Sequence, residues 1–91
     1  MEIIRLRTTQ AHVHNVADML LDTAERATGE DGLLQVRMYK SASYQTDMAL
    51  CLTWDTSPPR QQGSRTGLSI SEALKTFGLV EHSIWVEKET Q

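Results

Sequence analysis

Between Gln10 and Thr28 the residues Val13, Val16, Ala17, Leu20, Leu21, Ala24 and Ala27 recur at the i, i+3, i+4, i+7 spacing of a single helix face. Nothing else in the chain constrains the fold as strongly, because an apolar stripe of this length must be buried against another layer. Thr9 stands where an N-cap is needed and Gly29 where the helix must stop. Met19 is the one large apolar residue off the stripe. On the outer face, Asp22 and Arg26 form an i, i+4 pair that weakly supports the helix.

On either side the period drops to two, the signature of strands. From Glu2 to Thr8, Ile4 and Leu6 share one face, and Ile3, Arg5 and Arg7 the other. From Leu33 to Ser41, the set Leu34, Val36 and Met38 alternates with Leu33, Gln35, Arg37 and Tyr39. Asp47 to Trp54 is the most apolar strand, with Met48, Leu50, Leu52 and Trp54 on one face and Ala49, Cys51 and Thr53 on the other. The short polar link between these two strands implies an antiparallel hairpin. Asp55 to Arg65 holds both prolines and a glycine and reads as a loop. A second helix follows, with Ile70, Ala73, Leu74 and Phe77 inward and Gly67 one turn earlier. It starts either at Ser64 or at a capping box over Ser69–Glu72, and Gly78 fits its C′ position. Leu79 to Glu89 reads as the last strand, with Val80, His82, Ile84 and Val86 opposite Glu81, Ser83, Trp85 and Glu87.

The resulting order, β-α-β-β-α-β, is the ferredoxin-like α+β arrangement in one domain spanning residues 1–91. Right-handed crossovers place both helices on one face of a four-stranded antiparallel sheet, with the first and third strands central. Charges such as Arg37, Lys40, Glu81 and Lys88 then fall on the edge strands, where they discourage stray pairing. The helix-facing set would be Ile4, Leu6, Val36, Met38, Met48, Leu50, Leu52, Ile84 and Val86. The other face mixes Ile3, Leu33, Ala49, Cys51 and Trp85 with Arg5, Arg7, Gln35, Arg37, Tyr39, Thr53 and Ser83. A patch of that kind marks an interface or a ligand groove.

Size points the same way. A 91-residue chain has a thin core, burying only about 60% of its unfolded surface. Its single cysteine, Cys51, allows no internal disulfide. Self-association remains as the source of further burial, and a homodimer joined through the open sheet face is expected. The net charge of −3 and scattered basic residues argue against nucleic acid as a partner. No apolar run approaches a membrane span, and no signal-peptide core precedes the first strand, so a cytoplasmic protein is expected.

The element order, the chain length, the polar loop before the second helix and the segment ALKTFGLVEHSIWVE (residues 73–87) together resemble the dimeric α+β barrel superfamily. That superfamily includes the antibiotic-biosynthesis monooxygenase-like and stress-responsive barrel proteins. The resemblance covers the whole chain and is one of pattern. It implies sheet-to-sheet dimers with a pocket between sheet and helices or within the barrel. It also implies activities such as cofactor-free oxygenation of polycyclic phenols, haem degradation, isomerisation and decarboxylation. The haem-degrading branch carries an Asn on the first strand, a Trp on the third and a His on the second helix. Only Trp54 of these has a counterpart here, so haem degradation is not expected.

An oxygenase of this kind uses the electron-rich ring of its substrate to activate oxygen, and no cofactor is expected. The protein need only bind and orient a phenolate, for which Arg5, Arg7, Arg37, Tyr39 and Trp85 are the candidate groups. The alternative, favoured because an interface is needed in any case, is that the same arginines and Tyr39 hydrogen-bond across a dimer interface in a non-enzymatic binding or assembly protein. Trp54 either walls a pocket at the mouth of the second helix or packs under the proline loop. His82 shares the parity of Val80 and Ile84 and reads as a hydrogen-bonded structural residue. His12 and His14, two apart on a helix, do not share a face, and His14 with Asp18 makes too few ligands for a metal. Cys51, in an apolar strand, reads as an inert thiol.

Overall fold

The computed structural model describes residues 1–55 and 63–88. The elements are β1 (Glu2–Arg7), α1 (Val13–Ala27), β2 (Leu33–Lys40), β3 (Asp47–Trp54), α2 (Arg65–Leu74) and β4 (Leu79–Ile84). The strands form one antiparallel sheet in the order β2-β3-β1-β4. The ferredoxin-like α+β order and the central pair of strands are therefore as the alternation predicts. Residues 56–62, the proline-bearing part of the expected loop, and Glu89, the end of the expected last strand, lie outside the described residues.

Register explains where the core sits. Ile4 lies opposite Leu50 on β3 and His82 on β4, and Leu6 lies opposite Met48 and Val80. These side chains face the helices, and Ile4, Leu6, Leu50 and Leu52 pack with Val16 and Leu20 of α1 and Ile70 and Leu74 of α2. Leu50 and Leu52 are fully buried, and each such side chain contributes about 1.5–3 kcal/mol.

Several details depart from strict periodicity. α1 begins at Val13 rather than Gln10; Thr9 and His12 form a turn before it, and His12 stands at the N-cap without a side-chain bond. Leu21 of the expected stripe is exposed, while Met19 packs on the core, because a stripe wider than its contact area leaves one edge in solvent. Ser64 is the true N-cap of α2, its Oγ accepting from Gly67 N–H. The inward face of α2 is Gly67, Ile70, Ser71 and Leu74, with Ala73 turned outward. The helix stops at Leu74, and a turn through Phe77 leads to β4.

On β2 the register shifts between Leu33 and Gln35. A bulge of this kind flips side chains across the sheet: Leu33 packs against the core, and Leu34 is 67% exposed. Met38 and Val86 were expected inside and are exposed, Val86 because β4 ends at Ile84. Trp85 continues the pairing by one backbone bond, its N–H donating to Met1 C=O at 2.8 Å.

Candidate functional site

Glu2 is the residue that periodicity does not single out. It heads β1 with the parity of Ile4, which turns its carboxylate toward the helices, and it is fully buried. A buried carboxylate is costly unless it is hydrogen-bonded on both oxygens. Here Trp54 Nε1–H donates to Oε1 at 2.8 Å, and His82 Nε2 lies 2.7 Å from Oε2. Three strands supply the three groups: β1 the acid, β3 the indole and β4 the imidazole.

The hydrogen-bond logic sets the histidine tautomer. An indole nitrogen only donates, so Oε1 accepts. With Glu2 ionised, His82 Nε2 donates to Oε2 and its Nδ1 becomes the acceptor nitrogen of the ring. A carboxylate that holds an imidazole this way fixes the orientation of the ring.

The chain entering α2 closes over this pair. A Cβ on Gly67, in the first turn of α2, would overlap Glu2 Oε2. A Cβ on Gly63 would overlap the His82 ring, and Gly63 has φ +98°, a conformation that side chains disfavour. Both positions thus require glycine for the helix to sit directly on the acid–imidazole pair. The acid also lies beside the positive end of the α2 dipole. One turn further along the same face, Ser71 Oγ is buried with no hydrogen-bond partner among the described residues.

The open sheet face carries the other sequence candidates. Arg5, Arg7 and Tyr39 meet in a cleft of ≈ 330 Å³ that is also lined by Lys40, Ser41, Tyr44 and Asp47. Arg7 forks onto Asp47, Nε to Oδ1 and Nη2 to Oδ2, both at 2.7 Å, and lies over the Tyr44 ring at 5.4 Å. The hydrogen bond and charge of Arg7 hold the Asp47 carboxyl below its ordinary value, and Asp47 in turn raises Arg7. Arg37 lies further along β2, opposite Cys51, outside this cleft. Trp85 is exposed beyond β4, with its Nε1–H donating to Ser83 Oγ at 2.9 Å. Trp54 is the candidate on the other side of the sheet, with Glu2. Burial pushes the Cys51 thiol up. His12 meets Phe77 edge-on at 6.4 Å, and His14 is exposed. Among the described residues no three His, Cys, Asp or Glu side chains converge as a metal site, and no helix is long and apolar enough to cross a membrane.

His82 and Trp54 were visible in the sequence as single residues; the acid joining them was not. The available signal was parity, which places Glu2, Ile4 and Leu6 on one face, so that a charge at Glu2 demands a partner there.

Neither a protein-family model nor a curated protein matches the sequence. Solved structures do. A variant of SnoaB, a cofactor-independent oxygenase from Streptomyces nogalater, superposes with a TM-score of 0.72 at 13% identity, over 98% of this chain and 92% of that one. An antibiotic biosynthesis monooxygenase matches with a TM-score of 0.72 at 7% identity, over 97% of each chain. A conserved protein from Methanosarcina mazei matches with a TM-score of 0.74 at 14% identity, over 96% and 91%. Identities this low speak to fold alone, and the fold these structures share with this chain is the ferredoxin-like α+β fold.

Proposed function

We propose that this protein is a cofactor-independent, monooxygenase-type enzyme for a small, electron-rich phenolic ring. It works as a homodimer joined through the open sheet faces, and its site lies on the helix side of the sheet beside Trp54 and His82. The observation that carries this reading is the buried Glu2 carboxylate, which holds an imidazole and an indole in fixed geometry. The unpartnered Ser71 hydroxyl on the same side supplies a further polar group for a ligand.

The chemistry needs little from the protein. A phenol loses its O–H proton to His82 Nδ1, the bonding electrons stay on oxygen, and Glu2 stabilises the imidazolium. The electron-rich phenolate then reduces dioxygen. One oxygen atom enters the ring in place of a C–H hydrogen; the other leaves as water, taking that hydrogen and the proton held by His82, and the ring becomes a quinone. The protein contributes proton acceptance, a ring-stacking wall at Trp54 and orientation.

The dimer is supported by the face itself. Tyr39 and Trp85 are exposed there, and Cys51 and Ala49 are half-buried. A second copy would cover them.

The test is dioxygen consumption by the purified, metal-free protein with a panel of hydroxynaphthalenes and anthrone-type phenols. Consumption with one quinone formed per dioxygen is the expected result. Absence of both turnover and Trp54-dependent fluorescence quenching across the panel would remove the reading.

A further inference from the structure

The flank of α1 beside the edge strand β2 carries a groove on the helix side of the sheet. The open face that a second copy is expected to cover lies on the other side, and Glu2 and His82 lie under the other helix. The head of the groove is a cleft of ≈ 240 Å³ between the first turns of α1 and the ends of β2 and β3. Val13, Ala17 and Met48 are its apolar lining, and His14, Lys40 and Gln45 supply polar groups. Lys40 stands directly opposite Met48 in the β2–β3 register, which places both on the helix-facing side.

The groove continues beyond the cleft. A short turn joins Ala27 to Leu33, and the cleft joins the start of α1 to the end of β2, so helix and strand run antiparallel. Leu21 follows Ala17 by four residues and His14 by seven, and so stands on the same flank of α1. From His14 to Leu21 is about 10 Å along the helix, the rise of about three strand residues. Leu21 is thereby level with the Met38 region of β2. Met38 precedes Lys40 by two and shares its side of the sheet. Leu21 is 50% exposed and Met38 38%. Two large apolar side chains thus border one groove, and the chain itself does not cover them.

The polar end sets the charge of what could cover them. No carboxylate lines the cleft, and Lys40 is in no ion pair among the described residues. Gln10 Nε2 donates to Gln45 Oε1 at 3.2 Å, which leaves the Gln45 NH₂ group as a donor. An ammonium and an amide donor at the head of an apolar channel complement a carboxylate that carries an aliphatic chain. We propose that this groove binds a medium-chain aliphatic carboxylate. The carboxylate meets Lys40 and Gln45, and the chain lies along Ala17, Leu21 and Met38. The binding does not depend on the oxygenase reading, since no group is shared with Glu2, Trp54 and His82.

The experiment is a titration of the whole protein followed by amide chemical shifts, with octanoate below its micelle concentration, acetate and octylammonium as probes. Octanoate is expected to give saturable shifts along His14–Leu21 and Met38–Lys40, with little response to the other two. Shortening octanoate to hexanoate should weaken binding about tenfold, the scale of two buried methylenes. Lys40→Gln should also cost about tenfold, the scale of one charge-assisted hydrogen bond. Leu21→Ser, at an exposed position, should weaken octanoate severalfold, and the urea midpoint of each variant verifies folding. Octylammonium binding as tightly as octanoate would overturn the carboxylate head. Unchanged octanoate affinity in folded Leu21→Ser would overturn the groove, and unsaturable shifts, or shifts centred on Trp54 and His82, would overturn the site.

Discussion

Glu2 Oε2 and His82 Nε2 lie 2.7 Å apart under the first turn of α2, although eighty positions separate them in the chain. β1 and β4 are hydrogen-bonded neighbours, so the two ends of the domain meet at a buried acid. Removing the acid leaves an indole donor and an imidazole without their partner. Glu2→Ala should therefore destabilise the fold by about 3–5 kcal/mol, the range for breaking a buried pair. Glu2→Gln keeps the shape and should cost less. Urea unfolding midpoints check both, and an unchanged midpoint for Glu2→Ala would mean that the acid is not bonded as described.

Gly67 is the second pressure point. The Cβ of Gly67→Ala would overlap Glu2 Oε2, although alanine is the better helix former. Propensity alone predicts stabilisation by nearly 1 kcal/mol; crowding predicts a net loss of about 1–3 kcal/mol. A variant more stable than the parent would show that α2 is free to lift off the acid.

The fold was legible because alternation and helical spacing carry it. Ile4, Leu6, Leu50 and Leu52 are core residues by parity alone, and α1 announces itself. Leu33 and Leu34 exchange places because a bulge depends on backbone register, which side-chain alternation does not encode. The site was less legible. His82 and Trp54 are identifiable singly, but their common partner is an acid at the start of a strand. Its burial follows only from the β1–β4 pairing and from two glycines that bring α2 down upon it.

The open sheet face makes its own prediction. Ala49→Asp places a charge where a second copy is expected to pack, opposite both Arg5 and Tyr39 on neighbouring strands. Sedimentation should show a dimer for the parent and a monomer for the variant at micromolar concentration. Cys51 pairs with Ile3 on that face, and its thiol is raised by burial, so it should react slowly with thiol reagents in the parent and faster in the variant. A monomeric parent would defeat the assembly, whatever the variant does.

Asp47 supplies a pH signature. Its carboxyl is held below the ordinary value by the hydrogen bond from Arg7. The folded value thus lies under the unfolded one of about 3.9. The pair stabilises the fold above that unfolded value, and the contribution is lost as pH falls through the lower, folded value. In Arg7→Gln the Asp47 titration should move upward, and the acid limb of stability should flatten below about pH 4. Carboxyl-detected NMR reads the first and acid unfolding the second; an Asp47 titration unmoved by Arg7→Gln would refute the assignment.

The proposed activity rests on Glu2 making His82 the proton acceptor for a phenolic ring. The most direct measurement is steady-state dioxygen consumption by the parent and by His82→Gln, with folding of the variant verified by its urea midpoint. A metal-independent parent rate is expected, with kcat about 100-fold or more lower in His82→Gln and KM changed far less. A folded His82→Gln protein turning over at the parent rate would contradict it, as would a parent that binds phenols beside Trp54 and consumes no oxygen.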